Sequence, residues 1–138
     1  MAKKIFVNLP VKNLEKSKAF YTAIGFSINP QFSDETAACV VISEDIYVMI
    51  LTHDKFRQFT SKEIADTSKT IQVITALLYD SRAEVDDVYE KAAQGGGAQA
   101  RPTEDLGFMY TRSFIDPDGH LWEPFYMDMS SIPQDPHK

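Results

Sequence analysis

This chain has one cysteine in 138 residues, Cys39. An internal disulfide is therefore excluded, and a reducing cytoplasm is the expected compartment. Positive charge is also short: 14 Lys and Arg stand against 20 Asp and Glu, for a net charge of −6. The basic residues are scattered. A nucleic-acid partner needs a positive field to hold phosphates, and an anionic membrane surface needs the same, so neither is expected. No apolar run approaches the roughly 18 residues of a membrane span, and the opening MAKKIFVNL reads as a strand rather than a signal peptide. Low-complexity sequence is missing. Histidine is scarce: His53, His120 and His137 are the three present.

What the chain does have is an internal repeat. The length suits one domain, or two fused half-size modules, with a real core. Residues 4–11 alternate, so that Ile5, Val7, Leu9 and Val11 point one way and Phe6 and Asn8 the other. Asn13 is placed to cap a helix whose stripe is Leu14, Ser17, Phe20, Tyr21 and Ile24, stopped by Gly25. A hairpin follows, with Val40 facing Val48 and Ile42 facing Ile46 across an acidic turn. The same order returns after residue 70. Residues 71–79 form a strand, and Ser81-Arg82-Ala83-Glu84 is a capping box. Val85, Val88, Tyr89 and Ala92 form the helical stripe, and Gly95-Gly96-Gly97 ends it. A last hairpin turns at Asp116-Pro117-Asp118-Gly119. The modules span about residues 3–52 and 71–126. Residues 53–70 connect them, with a short helix expected near Lys62–Asp66. Residues 127–138 read as a loose tail.

If the four residues of the last turn are unpaired, Arg112 faces Glu123. One face then carries Tyr110, Arg112, Phe114, Leu121, Glu123 and Phe125. A charged pair among apolar neighbours is either a cross-strand salt bridge or a polar anchor in a ligand site. Cys39 and Trp122 are assigned to the helix-covered sides, where a cysteine is inert.

The stretch Ser113-Phe114-Ile115-Asp116-Pro117-Asp118-Gly119-His120-Leu121-Trp122-Glu123 resembles the C-terminal signature of the vicinal oxygen chelate superfamily, the glyoxalase, bleomycin-resistance and extradiol-dioxygenase proteins. The stretch Leu9-Pro10-Val11-Lys12-Asn13-Leu14-Glu15-Lys16-Ser17, with Phe20-Tyr21 and Gly25-Phe26, resembles its other landmark. Leu51-Thr52-His53 and Gly107-Phe108-Met109-Tyr110 look like the branch called predicted lactoylglutathione lyase. The resemblance covers residues 4 to about 126. It implies an α+β fold of two βαβββ modules with mixed, mostly antiparallel sheets around a cleft, a small-molecule ligand and a homodimer.

In metal-dependent members of that superfamily, four inward side chains bind one divalent ion. Those places fall here on Phe6, Ile50, Ile74 and Glu123, of which Glu123 alone is a competent ligand. A metal needs three or four ligands, so no cofactor is expected, and an ion held by Glu123 and water would be weak. Two functions fit. One is a glyoxalase-like lyase or isomerase with Glu123 as general base and Arg112 binding a carboxylate or oxyanion. The other is a non-catalytic binding protein of the bleomycin-resistance type. The expected substrate-binding set is Phe6, Asn8, Ile50, Gln72, Ile74, Tyr110, Phe114, Leu121 and Phe125.

Overall fold

A computed structural model describes residues 3–131. The chain divides after Ile71 into two units. The first runs β1 (Ile5–Val11), α1 (Leu14–Ala23), β2 (Ser27–Asn29), β3 (Ala37–Val41) and β4 (Ile46–Thr52), followed by the single-turn helix α2 (His53–Phe56). The second runs β5 (Ile74–Tyr79), α3 (Arg82–Gln94), β6 (Ala98–Asp105), β7 (Met109–Ile115) and β8 (Leu121–Met127). Each unit is one four-stranded sheet, ordered β1-β4-β3-β2 and β5-β8-β7-β6. The first strand of each lies parallel to the last, and the other pairings are antiparallel. The α+β fold of two βαβββ modules is thus present. Among the described residues no helix is long and apolar enough to cross a membrane.

Local chemistry explains the elements. The Asn13 side chain accepts a hydrogen bond from the Lys16 amide at 3.0 Å and starts α1. Leu14, Ser17, Phe20, Tyr21 and Ile24 are buried, as their spacing requires. Gly25 ends the helix at φ 107°, a conformation that side chains with a Cβ resist. Ser81 accepts from the Glu84 amide at 3.1 Å and starts α3, which buries Val85, Val88 and Ala92.

Three expectations change. The connector's helix is α2, not a helix near Lys62–Asp66. Thr52 caps it by accepting from the Lys55 amide at 3.2 Å. The tail does not loosen at Met127, because β8 runs through that residue. The Asp128 amide then donates to the Phe108 carbonyl at 2.7 Å, and Met129–Ser131 form a 3-10 turn. Residues 132–138, including His137, lie outside the described residues. Finally, Gln72 precedes β5 rather than lying within it, and it is exposed.

Candidate functional site

The decisive feature is the register of the last hairpin. Ile115 pairs with Leu121 and Phe114 with Trp122, one residue away from the simplest reading of the turn. The cause is Asp116, which is buried and whose carboxylate accepts from the Asp118 amide at 2.9 Å and the His120 amide at 2.8 Å. His120 is thereby drawn into the loop, and strand pairing begins at Leu121. A slip of one residue moves every side chain to the other face.

Arg112, Tyr110 and Phe114 therefore do not share a face with Glu123. They lie on the side covered by α3. The Tyr110 hydroxyl donates to Asp86 at 2.6 Å, and Arg112 donates to Asp86 at 3.0 Å and to Glu90 at 3.3 Å. The Arg112 guanidinium also lies 3.9 Å from the centre of the Tyr89 ring. Asp86 is held below the usual carboxylate range, first by the Tyr110 hydroxyl and then by Arg112. This network clamps α3 to the sheet, and the expected Arg112–Glu123 pair does not form.

Glu123 lies on the open face, and its cation is Arg101 of β6. The Arg101 Nε donates to Glu123 Oε2 at 3.0 Å, and Nη2 to Oε1 at 3.5 Å. The Ser113 hydroxyl, across β7 in the same row, donates to Oε2 at 2.9 Å. The Arg101 bond is the leading cause that holds the Glu123 carboxyl below its ordinary value; burial opposes it, and Ser113 adds to it. Glu123 is mostly buried, with 17% of its side chain exposed, against 41% for Arg101.

Strand β6 is irregular on both sides of Arg101. The register with β7 shifts between Gln99 and Arg101 and again between Arg101 and Glu104. Bulges of this kind re-aim a side chain, and here they flank the one that reaches across Ser113 to Glu123. Sequence reasoning missed Arg101 and Ser113. The available signal was a lone cation before a proline, Arg101-Pro102, in the strand that a βαβββ order demands.

Around this polar row the open face is apolar. Leu121 pairs with Ile74, and Phe125 pairs with Leu78. Ile74 and Leu78 are 55% and 57% exposed. Four of the expected residues, Ile74, Leu121, Glu123 and Phe125, are thus brought together.

In the first unit Phe6 pairs with Tyr47, and Asn8 with Met49. The Phe6 and Tyr47 rings stack at 4.5 Å between centroids and 8° between planes. Ile50 pairs with Leu9 and Ala38, in the fully buried set with Val40 and Val48. The expected hairpin pairs are correct, but Ile50 lies on the face opposite Phe6 and Asn8. Cys39 moves the other way: it pairs with Met49 and shares the Asn8 face. It is buried, and burial pushes its thiol up. The sequence of β4 carries no mark of where the parallel strand β1 will register, which is why the two faces were exchanged.

Residues 3–43 match the family model described as Bleomycin resistance protein-like N-terminal. Hypothetical protein SA1046 from S. aureus is similar in structure over 91% of this chain and 94% of its own, with 26% identity and a TM-score of 0.77. A glyoxalase/bleomycin resistance protein/dioxygenase family enzyme from Burkholderia phytofirmans PsJN is similar over 91% of this chain and 99% of its own (15% identity, TM-score 0.74). The chain has the glyoxalase/bleomycin-resistance/dioxygenase fold. A further protein named for that fold, from Nocardioides, covers 98% of this chain and 89% of its own at 21% identity and a TM-score of 0.72. No curated protein matches.

Of the four ligand places that the resemblance implies, Phe6, Ile50 and Ile74 have hydrocarbon side chains that cannot bind an ion, and Ile50 is buried on the face opposite Phe6. On β5 the residue paired with Glu123 is Ala76, with Ile74 beside it. Among the described residues no three of His, Cys, Asp and Glu gather as metal ligands.

Proposed function

We propose that this chain binds a small organic molecule and holds it without chemical conversion, as a binding protein of the bleomycin-resistance type that needs no metal. The observation that carries this reading is the commitment of Glu123 to Arg101 and Ser113. A general base needs a pKa near the working pH. Glu123 is instead hydrogen-bonded at both oxygens, and its basicity is lowered. Arg112, the expected oxyanion partner in a lyase or isomerase, is engaged by Asp86 and Glu90 on the helix side. The apolar surroundings of Glu123 supply contact area, and the polar row supplies direction.

The test is a panel of aldehyde–thiol adducts and aromatic ligands, assayed in parallel for binding by calorimetry and for product by absorbance. Binding without product, unchanged by a chelator, is expected. Turnover that Glu123→Gln abolishes would restore the lyase. The reading includes a cytoplasmic homodimer. The single buried Cys39 supports the compartment, and the half-exposed Ile5 and Phe6 on edge strand β1 support the assembly. Light scattering at twice the chain mass checks it.

A further inference from the structure

The geometry points to Arg101 as a carboxylate-recognition residue. The open face of the second sheet takes a small organic acid through the Nη1 edge of the Arg101 guanidinium, and Glu123 is the positioning residue that aims it. This rests on the binding reading above and names its ligand class.

The hydrogen-bond inventory carries the assignment. A guanidinium has five N–H donors in a fixed plane. Arg101 gives Nε and one Nη2 donor to Glu123. Its Nη1 faces Glu104 Oε2 at 3.7 Å, an ion pair too long for a hydrogen bond. Arg101 and Glu104 are similarly exposed, at 41% and 43%, so that contact is screened and easily exchanged. An incoming carboxylate can replace Glu104 at Nη1 and form the charge-assisted bonds that Glu104 does not.

Donors at Arg101 are therefore in surplus, while Glu123 Oε2 already accepts twice. Acceptors on the ligand fit this surplus. A monoanion fits better than a dianion, because Glu104 and Glu123 flank the cation. The ligand's apolar body would lie over Leu121 and Phe125.

Titration of the whole chain with benzoate and with benzamide, followed by NMR, tests this. Benzoate is expected to bind about tenfold tighter than benzamide, the worth of a charge-assisted hydrogen bond. Arg101→Gln should erase that ratio. Glu123→Ala should also lower the ratio, and Glu123→Gln, which keeps an oxygen to accept from Arg101 Nε, should restore part of it, which a merely structural role would not do. Glu104→Gln should tighten benzoate by about threefold, a gain that a misfolded variant cannot produce. Equal binding of acid and amide, or an unchanged ratio in Arg101→Gln, overturns the carboxylate assignment and leaves the binding reading standing. Failure of both probes to bind overturns the assignment; the wider ligand panel then decides the binding reading separately.

Discussion

Two arginines on neighbouring strands have separate roles. Arg112 is half-buried, engaged by two carboxylates and a tyrosine ring, and its Nε is buried without a partner among the described residues. Arg101 is more exposed and meets the carboxylate expected to matter. Replacing Arg112 should therefore cost stability and spare ligand binding. Arg112→Ala is expected to lose about 1–2 kcal/mol in chemical denaturation, the upper part coming from hydrogen bonds to charged groups and the lower from solvent screening of Asp86 and Glu90. Ligand affinity should stay within twofold of wild type, roughly the scatter of a remote change. Loss of binding with stability intact would return Arg112 to the site.

Much of the element pattern was legible in the sequence, because caps and turns act locally. Asn13, Gly25, Ser81 and the buried stripes of α1 and α3 all sit where spacing places them. Asn13→Ala and Ser81→Ala are each expected to cost about 1 kcal/mol, read as a shifted denaturation midpoint with an unchanged slope. The faces of the sheets were less legible. They depend on pairings between residues far apart in the chain, and in the second unit on one hydrogen-bonded loop. Asp116 decides that register by holding the amides of Asp118 and His120. Asp116→Ala should destabilise by about 1–3 kcal/mol, the penalty for leaving buried polar groups unpaired. A cost near zero would mean that the loop is held by something else. Arg101 was hidden for a related reason: its aim comes from two bulges, which alternation alone does not encode.

For the molecule as a whole, charge linkage sets the pH range of stability. Glu123, Asp86 and Asp105 all titrate below their ordinary values; the Asp105 carboxyl, hydrogen-bonded by Arg82 and the Gly107 amide, is lowered to about 2. A lowered carboxyl contributes stability that is present above its unfolded pKa of roughly 4 and is lost as pH falls through the folded value. Acid unfolding should therefore develop below about pH 4 and continue toward pH 2. At the other end, burial of Tyr79, with Glu84 and Asp87 nearby, pushes its hydroxyl up to about 12. A raised group is stabilising below its unfolded pKa, so this contribution should fade from about pH 10 upward to the folded value. Tyr79→Phe should remove that alkaline loss, measured as the change in denaturation midpoint between pH 9 and 11, an interval chosen around the ordinary tyrosine value of about 10. The repeat itself was the feature most visible in the sequence, since each unit reproduces the same order of strands from its own residues.

Everything proposed for ligand binding depends on whether Glu123 is tied to Arg101. Carbon-13 NMR of the Glu123 carboxyl, followed through acid pH in the wild type and in Arg101→Gln, measures that directly. The wild-type midpoint is expected below the ordinary glutamate value and should move upward when the guanidinium is removed. A wild-type midpoint at or above the ordinary value, unmoved in Arg101→Gln, would contradict it.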